Sequence, residues 1–162
     1  MAARVREATA LDLECVGELW SATTAHHSAI DPFFTQRTGP AAEREVRDLV
    51  ARLHRDRDAA IFVAEPAEPT AAPIVGICIV RVDRAPPILV ETERGEITDL
   101  FVCPEARRGG IARELAEAAL DWLRAAGIER VEIQVAVGNA EGQAFWRALG
   151  FGDLMDVLQK RL

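Results

Sequence analysis

Tyrosine is absent from this chain of 162 residues, lysine occurs once, at Lys160, and cysteine occurs three times. Without tyrosine no phenol is available to give or take a proton. Cys15, Cys78 and Cys103 are odd in number and widely spaced. That excludes a disulfide framework and a zinc ligand pair, and leaves each as a small apolar side chain. No apolar run reaches the roughly 18 residues of a membrane span, and Arg4 and Arg6 stand where a signal peptide would begin its apolar stretch. A cytoplasmic protein without membrane attachment is expected. Positive charge is also scarce: 26 acidic residues face 19 basic ones, for a net charge of −7. That sign repels phosphate backbones, so nucleic acid is not an expected partner. What the chain has in quantity is apolar residues, at 49%, enough for one continuous core in a single domain over residues 1–162.

The apolar periodicity alternates between helix and strand. A short strand at 4–8 precedes Thr9, a cap for a helix carrying Leu11, Leu13, Val16, Leu19 and Trp20. After an irregular stretch at 26–40, residues 41–55 place Val46, Leu49, Val50 and Leu53 on one helical face. Residues 59–64 and 74–82 read as paired strands joined by a loop rich in Pro and Ala at 65–73, and a second loop follows at 83–87. Residues 95–103 form the next strand. Ile111, Leu115, Ala119, Trp122 and Leu123 mark a helix stopped by Gly127. A strand at 130–137 leads to Asn139, which caps a helix running to Leu149, and Gly150 stops it before a terminal strand at 151–162. The order is β-α-α-β-β-β-α-β-α-β, an α+β fold.

The chemistry concentrates where the strand ending Leu100-Phe101-Val102-Cys103-Pro104 enters a turn that opens a helix. Unpaired N–H groups and the positive dipole end make that helix N-terminus an anion site, and Gly109 and Gly110 let a pyrophosphate approach the backbone closely. Neither a Walker loop, which needs Gly-Lys-Ser/Thr, nor the three-glycine dinucleotide fingerprint is present. The segment Arg107-x-x-Gly110-x-Ala112 instead resembles the acetyl-CoA signature of GNAT-type N-acetyltransferases. Val102-Cys103-Pro104 ahead of it, and Asn139, Phe145, Trp146, Leu149, Gly150 and Phe151 downstream, are similar to further family signatures.

The resemblance implies a three-layer, mixed and mostly antiparallel sheet flanked by about four helices. It implies that acetyl-CoA is bound as co-substrate, without a metal, by Arg107, Arg108, Gly109, Gly110, Ile111 and Ala112 at the pyrophosphate. The strand edge at Leu100, Phe101 and Val102 would pair with the pantetheine arm, with Asn139, Phe145 and Trp146 on the other side. The expected reaction moves acetyl to a primary amine, of a small molecule or a peptide, by direct attack in a ternary complex. Glu96 is the preferred base and Asp99 the reserve; an odd spacing sends the two to opposite faces unless a bulge intervenes. The loop after the first helix, with His26, His27, Asp31, Phe33 and Phe34, would wall the acceptor pocket. The family's usual proton donor to the departing thiolate is a tyrosine, and Trp146 stands in its place. An indole N–H does not practically give up its proton, so the thiolate takes a proton from water or leaves as the anion. Two alternatives follow: an acyl-CoA-binding sensor without turnover, and a covalent acetyl-cysteine route through Cys103. The resemblance also extends to a homodimer paired through the C-terminal strand.

Overall fold

A computed structural model describes residues 2–68 and 72–160. Five strands, β1 (Ala3–Glu7), β2 (Ala59–Pro66), β3 (Gly76–Arg84), β4 (Glu93–Val102) and β5 (Val131–Ile133), form one sheet in sequential order. The first four are antiparallel, and β5 runs parallel to β4. Residues 59–64 of β2 are all buried, as a strand covered on both faces requires of its apolar run. Helices α1 (Leu13–Ile30) and α2 (Pro40–Arg55) pack on one face, and α3 (Ile111–Ala125) packs on the other across β1 to β4. In α3, Ile111, Leu115, Ala119 and Leu123 are buried at successive turns. A last helix, α4 (Ala140–Ala148), follows β5. The mixed three-layer arrangement is the one expected. Among the described residues no helix is long and apolar enough to cross a membrane.

Local sequence explains most boundaries. α1 starts at Leu13, behind Asp12, which accepts hydrogen bonds from both the backbone N–H and the hydroxyl of Thr9 at 2.7 and 2.8 Å. It continues to Ile30, further than expected, because helical conformation is blocked only at Asp31, the residue before Pro32; Asp31 is extended at φ −145°. A single 3₁₀ turn over Pro32–Phe34 follows. α4 stops as its sequence suggests. Gly150 takes φ 93°, its N–H donates to Arg147 O at 3.0 Å, and that of Phe151 donates to Trp146 O at 3.1 Å. This left-handed cap swings the Phe151 ring to 5.2 Å from the Trp146 ring.

Two expectations fail at the far side of the sheet. The strand read over 130–137 is ordered as strand only at Val131–Ile133, and residues 151–160 form none. The reason is a missing partner: β5 pairs with β4 only from Gly95↔Val131 to Ile97↔Ile133, so beyond Ile133 there is no ladder to join. Leu154, Met155, Val157 and Leu158 of the tail are exposed, and the strand on which the homodimer expectation rested is not formed. Its last two residues, and residues 69–71 of the expected loop at 65–73, lie outside the described residues. Cys78 and Cys103 are buried and Cys15 half-buried, all as free thiols.

Candidate active site

The site begins with a defect in the sheet. β4 pairs with β3 as Ile79↔Asp99 and then Val80↔Ile97, so Thr98 is an extra residue, a bulge. Its first consequence concerns the two acids. Gly95 faces α3 so closely that a Cβ there would lie 2.4 Å from Leu123 Cδ1, and Ile97 shares that buried side by strand alternation. Glu96 therefore faces α1. The inserted Thr98 resets the alternation and turns Asp99 to the same face, where it interacts with Trp20 and His27 of α1 and with Glu96. The opposite-face arrangement of a regular strand does not apply here.

The two carboxylates differ in environment. Glu96 stands opposite Arg81 in the β3–β4 register, and one of its oxygens accepts from Arg81 Nε at 2.8 Å and Nη2 at 2.5 Å. Asp99 has no ion pair of that kind. Burial pushes its carboxyl above the ordinary carboxylate range, and hydrogen bonding from Thr98 and Trp20, together with the charge His27 carries only when protonated, partly opposes this. His27 is held below its usual value by burial and by neighbouring His26, with Asp99 acting the other way, so its imidazole is neutral at neutral pH. This end of the site therefore holds a raised carboxyl beside a neutral imidazole on the α1 face of the sheet.

A second consequence is an open strand edge. Leu100, Phe101 and Val102 pair with Cys78, Ile77 and Gly76 of β3, but β5 has already left β4 on the other side. The backbone groups of 98–102 that point toward β5 thus line a gap, ready to pair with an extended ligand arm. Phe101 and Val102 turn their side chains into the core.

The gap leads to the turn before α3. Arg107 folds back, donating from Nε to Val102 O at 3.0 Å with its guanidinium 5.8 Å from the centre of the Phe101 ring. It braces the turn from behind. Arg108 is exposed at φ 65°, a strained conformation for a residue with a side chain. Gly109 and Gly110 are exposed, and Gly110 is left-handed at φ 86°. The amides of Arg113 and Glu114 donate to Gly110 O at 2.9 and 3.1 Å, so those of Ile111 and Ala112 before them have no intrahelical acceptor. Left-handed backbone, accessible glycines and unused amides at a helix N-terminus form a concave anion cradle.

On the far bank of the gap, Asn139 Oδ1 accepts from Gly142 N at 2.9 Å and caps α4. Phe145 is half-buried, while Trp146 is buried, packed edge-on between Phe145 and Phe151 at 5.0 and 5.2 Å. His26 and Phe33 are exposed, His27 and Phe34 half-buried. The His27 and Phe34 rings meet at a tilt of 46° with centroids 5.4 Å apart, Phe33 meets Phe34 edge-on at 5.1 Å, and Asp31 caps this turn by accepting from Phe33 N at 2.8 Å. Arg81 and Trp20 were not among the candidate residues. Alternation along β3 places Arg81 on a sheet face but says nothing of its neighbour, and Trp20 reads as an ordinary core position of α1. A separate cavity of about 350 Å³, lined by Cys15, Leu19, Ile74 and Cys103 among others, opens between α1 and the β2–β3 connection. Its own burial and the neighbouring Glu105 carboxylate hold the Cys103 thiol up, which disfavours the nucleophilic thiolate.

Comparison with known proteins agrees with this geometry. The profile of the Acetyltransferase (GNAT) family matches residues 20–151. A protein of Azospirillum brasilense described as IAA acetyltransferase is 32% identical over 127 residues, covering 70% of this chain and 83% of its own. Mycothiol acetyltransferase of Beutenbergia cavernae is 46% identical over 57 residues, 35% of this chain; the match spans only 19% of that protein's length. Among solved structures, a tetramutant of the BH1408 protein from Bacillus halodurans superposes with a TM-score of 0.80 at 20% identity, covering 98% of this chain and 99% of the other. An aminoglycoside N-acetyltransferase in complex with CoA gives 0.75 at 17% identity, covering 99% and 95%. At those identities the superpositions establish a shared fold.

Proposed function

Because the chain belongs to the Acetyltransferase (GNAT) family, we propose that it transfers the acetyl group of acetyl-CoA to an amine by direct attack in a ternary complex, with Asp99 as the base. The observation that carries this is the bulge at Thr98. It opens the edge of β4 for a ligand arm and, in the same step, turns a raised carboxyl toward the acceptor side. The amides around residues 108–112 hold the pyrophosphate, and the backbone edge at 100–102 pairs with the pantetheine arm. Bound acetyl-CoA supplies the activated thioester.

An amine arrives as an ammonium ion and cannot attack until it loses a proton. Asp99, its pKa raised by burial, accepts that proton. The neutral nitrogen forms a C–N bond at the thioester carbonyl, the tetrahedral adduct gives its second N–H proton to water, and the C–S bond breaks with its electron pair leaving on sulfur. Trp146, enclosed by Phe145 and Phe151, offers no proton, so the thiolate is protonated by water; a thiol pKa of about 8.5 makes its departure as the anion tolerable. Glu96, engaged by Arg81, sets the electrostatic potential beside Asp99. A second reading, a sensor that binds acetyl-CoA without turnover, draws support from this missing acid.

Calorimetric titration with acetyl-CoA, followed by thiol release against a panel of amines, separates the two. Binding with release supports transfer, and binding without release across the panel supports the sensor. Gly110→Glu should abolish acetyl-CoA binding through steric block, backbone strain and charge repulsion at the cradle; normal binding by that variant would remove the cofactor site from where we place it.

A further inference from the structure

The approach to Asp99 is walled by apolar and aromatic side chains. On the α1 side, the His27 ring meets Phe34 at a tilt and Phe34 meets Phe33, which is 69% exposed. Across the gap, Gly138 is packed against the last residue of α1: a Cβ on it would lie 3.0 Å from Ile30 Cγ2. The β5–α4 loop and the end of α1 therefore meet at one mouth. The residue before Gly138, Val137, is 93% exposed. It is held there by a latch in which Gln143 Nε2 donates to Ala136 O at 3.2 Å and Val137 O at 3.0 Å, and Asn139 N donates to Ala136 O at 2.9 Å. One exposed apolar residue thus stands on each side of this mouth, Phe33 after the end of α1 and Val137 in the β5–α4 loop.

The charges at this mouth are as telling as its apolar groups. Of the carboxylates Asp31, Glu96 and Asp99, Glu96 is paired with Arg81, and Asp31 has one oxygen held by Phe33 N at the Pro32–Phe34 turn. Asp99 is the carboxylate beside His27 and Trp20, and it is the group a reacting ammonium meets. A second ammonium group pressed against this rim would lose its hydration without gaining a partner, whereas one ammonium beside aromatic faces is favoured.

We propose that the acceptor is a primary amine carried on an apolar or aromatic body with a single positive charge, whose body rests on His27, Phe33, Phe34 and Val137 while its nitrogen reaches Asp99. The inference rests on Asp99 being the base. The same chemistry is offered by a small arylalkylamine and by a peptide N-terminus with an apolar first residue. It is not offered by polyamines or aminoglycosides.

The test is thiol release from acetyl-CoA by the full chain, with 2-phenylethylamine, a Phe-initiated tripeptide, a Glu-initiated tripeptide, spermidine and neamine. Either of the first two should exceed spermidine and neamine in kcat/KM by at least about tenfold, and which of the two does so identifies the source. Val137→Glu should narrow or invert the ratio of 2-phenylethylamine to spermidine, a change of selectivity that misfolding cannot produce. Equal or greater kcat/KM with spermidine or neamine, or a ratio unmoved by Val137→Glu, would overturn the proposed acceptor class while leaving acetyl transfer intact. Acetyl-CoA binding with no release from any amine would instead overturn the underlying reading.

Discussion

Replacing Asp99 by Asn removes one negative charge and keeps the shape, and it should push activity and stability in opposite directions. Loss of a positioned base costs on the order of 10²–10³ in rate, equivalent to about 3–4 kcal/mol of barrier. In the parent protein kcat/KM should climb as pH rises through the raised pKa of Asp99; in Asp99→Asn that limb should vanish. The folded state holds the Asp99 proton more tightly than the unfolded chain does, since burial raises the folded pKa. The carboxyl therefore favours folding below its unfolded value near 4, and that contribution is lost as pH rises through the folded value. At pH 8 the parent buries an unwelcome charge and the Asn variant does not. Urea unfolding should accordingly find Asp99→Asn more stable than the parent at pH 8, with the difference shrinking toward pH 4. A variant that loses less than about threefold in kcat/KM, or is less stable than the parent at pH 8, would refute the assignment.

Glu96→Gln should cost less, about 3–10-fold in kcat/KM with acetyl-CoA affinity unchanged by calorimetry, because Glu96 is already engaged by Arg81. Gly95→Ala should destabilise the fold by about 1–3 kcal/mol through overlap with Leu123. In a double-mutant cycle with Leu123→Ala the combined cost should fall short of the sum, while additivity would place the overlap elsewhere. Asp12 receives Arg6 Nη1 and Nη2 at 2.8 and 2.9 Å as well as Thr9, and Arg6 holds its carboxyl well below the usual range. That stabilisation is present above the unfolded value near 4 and lost as pH falls further. Asp12→Asn should therefore cost about 1–3 kcal/mol at pH 7, and urea midpoints should show the difference closing in acid.

Much of the frame was legible because it follows from local chemistry. The periodic apolar face of α3 and the Gly150 stop are short-range features, and both appear where the sequence puts them. The open helix start at 107–112 was readable for the same reason: glycines beside a helix start expose amides whatever surrounds them. The boundary at Asp31 was also in the sequence, in the Asp-Pro pair, but reading 26–40 as irregular passed over it.

What stayed hidden depends on partners distant in the chain. Nothing in the residues around Thr98 announces a bulge, since it exists only as a mismatch between β4 and β3. On it depend the shared face of Glu96 and Asp99, the early departure of β5 and the open edge of β4. The hydrogen bond from Arg107 to Val102 O likewise depends on how the turn folds back on the strand. Residues 151–160, read as part of a terminal strand, find no ladder to join. The sequence by itself determined the elements, the core and the anion turn, because hydrophobic period, caps and glycines act within a few residues. Only the tertiary structure decided which face each carboxyl takes and what lies beside it, because pairing register, burial and charge neighbours are properties of contacts between segments the chain does not place side by side.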